Sequence, residues 1–536
     1  MAEAESGDDP ERTVPPATDV VIVGGGHNGL VAAAYLARFG VKVALLERLD
    51  RLGGAAVSER PFPGVDANLS RYSYLVSLMP YAVVRDLELD LELRSRPVAS
   101  YTPVVRDGKH DGLLVERRPG PRTADSFRRL AGSDREWRSW QEFYARIERA
   151  ARVIAPTLLE PLAPKGELMK SVREACGSGF WEQFMERPLG EVIEETFADD
   201  DVRGVVLTDA LIGTQSHAHD PSLRQNRCFL YHVIGNGTGE WRVPIGGMGE
   251  VTGSLIRAAD KAGAVLVTGA TVTQVETDGR RASVTYTVGG VERRVAARYV
   301  LVNAAPKVLS ELLGRAPEQQ PEGNQLKINM VLARLPRLRS GMDAETAFAG
   351  TFHIDESYSA LRTAYTTAEG GALPDPLPSE VYCHTLTDRT ILGADAASAG
   401  LHTLTLFGLH TPARLYDKPK MRDEAVRLAL AGLNRYLEEP IEDCLALDAN
   451  GEPCLEARSP RDIERELAMP GGHIFHGDLD WPWATSDQEV GRWGAETDVP
   501  NVLLCGSGAR RGGAVSGVPG RAAALAILLR RRRRKS

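Results

Sequence analysis

The chain has 536 residues, of which 43% are hydrophobic and 25% charged, and it carries a formal charge of −8. That length allows two domains, or one with large insertions, and the composition is that of an ordinary globular protein. The acidic balance argues against a general nucleic-acid binder. Cysteines at 176, 228, 383, 444, 454 and 505 make no C-x-x-C pair, which predicts reduced thiols in a cytoplasm and no dithiol redox centre. The N-terminus lacks the charged and apolar regions of a secretory signal, and no apolar run reaches the roughly 18 residues needed to span a bilayer.

Residues 1 to 18, rich in acids, proline and small side chains, read as a disordered leader. Asp19 to Val23 is a short apolar run bounded by glycine, the pattern of a strand buried on both faces. Gly24-Gly25-Gly26-His27-Asn28-Gly29 follows as G-x-G-x-x-G, then an alanine-rich helix over 30–39 that Gly40 can end. A second strand over 41–47 closes on Glu47. Gly24 allows the tight turn, Gly26 clears the path to a pyrophosphate, and Gly29 lets helix and strand pack closely. The phosphates of a dinucleotide would then rest on the N–H groups and positive dipole of the helix N-terminus. Glu47 stands where a carboxylate accepts from an adenosine ribose, which disfavours the 2′-phosphate of NADP. Beyond it come Arg48 and a second glycine pair, Gly53-Gly54, before Ala55. An extended FAD gains from a basic residue and bare backbone at that point. The candidate cofactor contacts of this stretch are Gly24, Gly26, His27, Asn28, Gly29, Glu47, Arg48, Gly53, Gly54 and Ala55.

The block from Gly24 to Gly54, followed by Ala55 and Ala56, resembles the phytoene desaturase-related FAD-dependent oxidoreductases. Within them it is most similar to the branch that includes pyridine nucleotide-disulfide oxidoreductase domain-containing protein 2; bacterial phytoene desaturases and desaturase-like carotene ketolases are relatives. With no dithiol in the sequence, the "disulfide" of that name is not carried over as an activity. The resemblance implies that the chain after the second glycine pair passes near the flavin ring. Arg71, Tyr72 and Tyr74 would face the ring or its entrance, with simple packing of the tyrosines as the equal alternative.

From Asp125 to about Asp200 the period is helical, with Trp137, Trp140, Phe143, Ile147 and Ile154 on one face, which predicts a helical insertion over a pocket. No second G-x-G-x-x-G sits on a strand-turn-helix pattern, so no separate NAD(P)H domain is expected. Gly246-Gly247-Met248-Gly249 leads into a helix over 251–262 and strands over 264–267, 271–275, 282–288 and 292–302. By resemblance this block returns the chain to the FAD domain, with the backbone at Val272 meeting the adenine. Residues 311–461 alternate short strands and helices and would floor a substrate pocket. A third block runs from Met469, through a strand over 501–504 and Gly506 and Gly508, to Val515, Ser516 and a terminal helix after Pro519. That helix would aim its dipole at the ring edge where reduced flavin carries negative charge. Relatives tend to show threonine-histidine-proline where this chain has Ala509-Arg510-Arg511, which leaves those contacts open, although an arginine would stabilise the same charge.

The expected fold is α/β: a Rossmann-like FAD-binding domain built from discontinuous segments (19–95, 236–310 and 462–529) beside an α+β substrate domain (96–235 and 311–461) with a mixed sheet and the helical insertion. The expected activity is removal of a hydride from an apolar or amphipathic organic substrate by an FAD-dependent oxidoreductase of dehydrogenase or desaturase type. Carotenoid desaturation or ketolation, amine oxidation and a flavin-carrying regulatory protein with little turnover are the alternatives. No catalytic acid or base is assigned. His217-Ala218-His219-Asp220 has zinc-like spacing but no matching distant ligands, so a polar loop is expected and no metal. His476 and Asp478 would form an acid–base pair near the flavin, though a structural hydrogen-bonding role is favoured. The arginine run of residues 530–536 reads as a solvated basic tail, with peripheral contact to an anionic membrane as the alternative.

Overall fold

The computed structural model describes residues 14–317 and 321–533. Most of the expected leader, and residues 534–536 of the tail, therefore lie outside the described residues. The last two leader positions belong instead to the first strand, Ala17–Val23, where Ala17 and Thr18 pair with Ala296 and Ala297. The ladder is a main-chain interaction, so residues of leader-like composition join it wherever a partner strand extends past them. The terminal helix likewise runs on through the arginines, from Val518 to Arg533.

Two seven-stranded sheets carry the chain. In the first, Ala17–Val23 lies between Val43–Leu46 and Val291–Val302, parallel to both, and Val265–Val267 extends the parallel edge. The strand Val291–Val302 divides its other edge, pairing antiparallel with Ala282–Val288 over its first half and parallel with Val502–Leu504 over its last residues. Sequence neighbours thus build one end of the sheet, while the last strand arrives from about two hundred residues away. The helix His27–Arg38 is buried along nearly its whole length, from Asn28 to Ala37. It packs between the helices Met248–Lys261 and Val518–Arg533, which accounts for its small side chains. A Cβ on Gly520 would stand 2.0 Å from the Asn28 carbonyl oxygen, so only glycine permits that helix approach.

The second sheet orders Leu455–Arg458, Leu326–Leu332, His402–Gly408, Ser379–Tyr382, Thr351–Ile354, Val98–Arg106 and Lys109–Glu116; one pair, 98–106 with 351–354, is parallel. Alternation sends Leu326, Ile328, Met330, Phe352, Val381, Leu404 and Leu406 into a core with the helix Met421–Asn434. The opposite face presents Lys327, Thr351, His353, Glu380, Tyr382 and Phe407 to a cavity. Both faces are covered, which is why these strands lack the one-sided pattern that marks a strand in sequence.

A helical layer closes the cavity from the other side. It runs from Pro121–Ala131 and Arg135–Ile154 through Arg224–Val233, well beyond the expected end near 200. Among its later helices, Asp200–Thr208 is short and buried along most of its length, so it shows little amphipathic period. The layer is tied to the third cofactor block by Trp181, which is fully buried, packs 4.8 Å from Trp483 and donates from Nε1 to Glu186 (3.1 Å). Trp181→Ala is expected to cost about 3–5 kcal/mol, read as an earlier unfolding transition of the helical layer by circular dichroism and tryptophan emission.

Candidate active site

A cavity of about 1170 Å³ runs between the two sheets and under the helical layer. One end is walled by Gly24, Gly26, His27, Asn28, Glu47, Arg48, Gly54, Ala55, Val272 and Val515, which the chain brings together from three distant stretches. Gly24 holds φ +97°, and the Gly26 and Gly54 backbones approach so closely that a Cβ on Gly54 would lie 3.1 Å from the Gly26 Cα. Glu47 is anchored by the turn it follows: Oε2 accepts from Gly25 N–H (2.6 Å) and Oε1 from Leu49 N–H (2.8 Å). Arg48 donates to the Glu466 carbonyl (2.8 Å) while lining the cavity. At Val272 the pairing with Ala282–Val288 slips by one residue before Gln274, a bulge that turns the strand beside the cavity.

The remaining predicted contacts stand behind this wall and shape it. A Cβ on Gly29 would meet the Gly24 carbonyl oxygen at 2.4 Å, so Gly29 serves helix–strand packing. Gly53 N–H donates to the Gly25 carbonyl (2.9 Å). Gly506 and Gly508 pack where a Cβ would stand 3.0 Å from Asn303 Oδ1 and 2.5 Å from Pro306 Cδ, and Ser516 Oγ accepts from Val518 N–H (3.2 Å).

Asn303, which no motif singled out, joins these pieces. It follows the strand Val291–Val302, and its Nδ2 donates to the carbonyls of Gly24 (3.1 Å) and Gly26 (3.2 Å). Its only trace in the sequence is a lone amide after an apolar run.

The wall fits FAD. His27 Nε2, Asn28 Oδ1 and His476 Nδ1 are buried with no hydrogen-bond partner, and all three residues line the cavity. Burial pushes the His27 and His476 imidazoles down to about 4, so near neutral pH they are uncharged hydrogen-bonding groups. Hydroxyls of a dinucleotide's ribose and of the flavin's ribityl chain can donate to these atoms.

The other end is aromatic. Tyr74 packs against Tyr382 (4.3 Å) and Phe407 (4.7 Å), and Trp137, Trp140 and Tyr144 face them from the helical layer. Tyr72 also lines the cavity, whereas Arg71 turns away to pair with Glu59 and Glu456. Lys327 is buried beneath this end, and its Nζ donates to the carbonyls of Ser70 (2.8 Å) and Tyr72 (2.5 Å) and lies 4.9 Å from the Phe407 ring centre. Burial holds its ammonium well below the usual lysine range. Glu380 and Asp209 on the same wall are pushed up to about 7, first by burial and then by a neighbouring carboxylate, Glu356 for the former and Glu380 for the latter.

Three sequence candidates have other occupations. Arg511 is buried and bonds the carbonyls of Thr157 (3.1 Å), Glu160 and Trp493 (2.6 Å), and Arg510 pairs with Glu489 (2.7 Å), so neither supports charge in the cavity. Asp478 lies nearest His473 (4.0 Å) and Arg224 (3.8 Å), so the His476–Asp478 pair does not form; a φ of +62° at His476 turns that ring toward the cavity instead. In the 217–220 loop His219 Nε2 contacts Glu194 (2.9 Å), and Asp220 accepts from Ser216 (2.9 Å) and Ser222 (2.8 Å).

A nucleotide-binding sheet, a cofactor wall of bare backbone and an aromatic pocket in one cavity define a flavin-dependent oxidoreductase. Residues 29–331 match the family described as flavin-containing amine oxidoreductase, and the chain belongs to that family. It is 48% identical over 519 residues to an uncharacterised protein of Mycobacterium tuberculosis, covering 95% of this chain and 97% of the relative. It is 30% identical over 567 residues to mouse pyridine nucleotide-disulfide oxidoreductase domain-containing protein 2, covering 96% and 93%. Among solved structures, a redesigned putrescine oxidase double mutant superposes with TM-score 0.58 at 19% identity, covering 96% and 99%. Cyclohexylamine oxidase from Brevibacterium oxydans gives 0.52 at 14% identity, covering 96% and 100%. The fold is thus that of flavin amine oxidases, and FAD is the cofactor.

Gly26→Phe is expected to reduce bound FAD to background, measured by flavin absorbance per chain, because the ring would fill the bare-backbone channel. Asn303→Ala removes the side-chain donor to the Gly24 and Gly26 carbonyls, the latter keeping its bond from Leu30 N–H, and is expected to cost about 1–3 kcal/mol of stability, with weaker FAD retention on dialysis.

Proposed function

We propose that the protein removes a hydride from a C–H bond of an apolar or amphipathic organic substrate, in the manner of phytoene desaturase-like dehydrogenases. One observation carries this reading: a single cavity joins the cofactor wall to an aromatic pocket on the second sheet. FAD held by the glycine turns supplies the two-electron acceptor. The chain's own part is to position and to dry the reactants. Tyr74, Tyr382 and Phe407 offer ring faces to a flat or extended substrate. Trp137 and Trp140 roof the pocket and displace water, which strengthens each polar contact left inside. Lys327 clamps the 70–72 backbone to the sheet and so sets where Tyr72 and Tyr74 stand.

Support for an isoprenoid-like substrate comes from a limonene dehydrogenase polypeptide of Castellaniella defragrans, 40% identical over 121 residues and covering 21% of this chain and 22% of the relative. Amine oxidation is the second reading, supported by the family and by the fold shared with putrescine and cyclohexylamine oxidases. Anaerobic mixing of the purified flavoprotein with isoprenoid, carotenoid, fatty and amine compounds separates them. Bleaching of the flavin band by the isoprenoid or carotenoid set is expected; bleaching by amines alone selects the second reading, and no bleaching by any compound argues for a flavin carrier without turnover.

A peripheral membrane contact through the C-terminal arginines is proposed as well. Among them, Arg530 donates to the Pro500 carbonyl (2.7 Å) and Arg531 pairs with Asp19 (3.0 Å), so part of the run is already engaged. Among the described residues no helix is long and apolar enough to cross a membrane. Co-sedimentation with phosphatidylserine vesicles is expected to fall when Arg530 to Ser536 are deleted.

A further inference from the structure

The antiparallel register of Thr351–Ile354 with Ser379–Tyr382 sets His353 directly opposite Glu380, so both side chains leave the sheet on one face. Asp355, at φ +56°, turns the chain after the first of these strands. Glu356 then folds back until its Oε2 lies 2.5 Å from His353 Nδ1. The helix Asp200–Thr208 is laid across the turn so closely that a Cβ on Gly204 would stand 1.8 Å from the Glu356 carbonyl oxygen. Its last residue, Thr208, donates to Glu380 Oε1 (3.2 Å), and Tyr382 donates to the other oxygen of that carboxyl.

Donor atoms of His353, Glu356 and Glu380 consequently gather within 4.8 Å of one another, on residues 4%, 1% and 2% exposed. Two features show that this cluster is incomplete. With the Thr208 proton given to Glu380, Glu356 Oε1 is buried without a hydrogen-bond partner. Arg96, which lines the same cavity, directs its guanidinium to Thr351 Oγ1 (3.4 Å) rather than into the cluster. An unpartnered buried carboxyl oxygen within a cluster of donor atoms is a place for an ion.

We propose that His353, Glu356 and Glu380 form a binding site for one divalent transition-metal ion of the Mn²⁺ or Zn²⁺ type. One imidazole with two carboxyls, their donor atoms within 4.8 Å of one another, is a donor set these ions take. Metal–ligand bonds of about 2.0–2.2 Å require the donors to close in slightly around one centre, which rotation of the glutamate side chains provides. The ion would part the His353–Glu356 contact and give Glu356 Oε1 its missing partner. His353 and Glu380 line the cavity, so the ion's remaining positions open toward it and would take water or a substrate oxygen. This proposal stands independently of which substrate the flavin oxidises.

The test uses FAD-loaded protein stripped with a chelator, then titrated with MnCl₂ and ZnCl₂ by calorimetry, with metal per chain counted by mass spectrometry. One equivalent per chain is expected, with affinity lowered about tenfold or more in His353→Ala, Glu356→Gln and Glu380→Gln while flavin absorbance per chain is unchanged. The two glutamine variants preserve side-chain shape, and their FAD content shows that they remain folded. Absence of saturable binding to the wild type, or equal binding by folded Glu356→Gln and Glu380→Gln, overturns the site. So does saturable binding of propylammonium in place of either metal.

Discussion

The structure depends on one side-chain amide. Asn303 closes the strand Val291–Val302 and donates to the carbonyls of Gly24 and Gly26, so the glycine turn that lines the cavity is held from behind. The Gly26 carbonyl also accepts from Leu30 N–H (3.1 Å) as the helix begins, and the amide ties that helix start to the end of the strand. Gly506 packs against the same asparagine, which brings the last strand and the loop to Val515 onto the one fixed point. Three stretches separated by hundreds of residues are registered there to within a hydrogen bond.

From that point the cavity follows by alternation. Each strand of the second sheet sends one set of side chains to the Met421–Asn434 helix and the other to the cavity, and the helical layer covers what would otherwise be an exposed polar and aromatic face. Covering it has two effects. The aromatic end is enclosed, and ionisable groups that would be ordinary at a surface, such as Lys327 and Glu380, are driven toward their neutral forms. The same enclosure makes the cofactor end depend on bare backbone and uncharged imidazoles rather than on exposed cations.

Local signals were enough for the first cofactor stretch. The Val20–Val23 run, the glycine turn, the alanine helix and Glu47 are contiguous, and each step is set by near neighbours, so residues 19–54 read correctly as strand, turn, helix, strand and acid. The hairpin strands near 282–288 and 292–302 were legible for the same reason. Legibility ended where burial came from elsewhere. Helices such as Asp200–Thr208 are enclosed by other parts of the chain and lose the amphipathic period that exposes a helix in sequence. Arg511 looked available to a flavin because nothing nearby in sequence accepts its protons; its acceptors lie at Thr157, Glu160 and Trp493.

The amino-acid order alone marked the strand, glycine turn, helix and second strand ending at Glu47, and with them the expectation of a dinucleotide, because glycine spacing and strand–helix period are local properties. Only the tertiary structure decided which of those glycines touch the cavity and which pack behind it, that Asn303 is the tie, and that His353, Glu356 and Glu380 meet. Those outcomes rest on strand register and on a helix crossing at Gly204, interactions between residues with no sequence relation to one another.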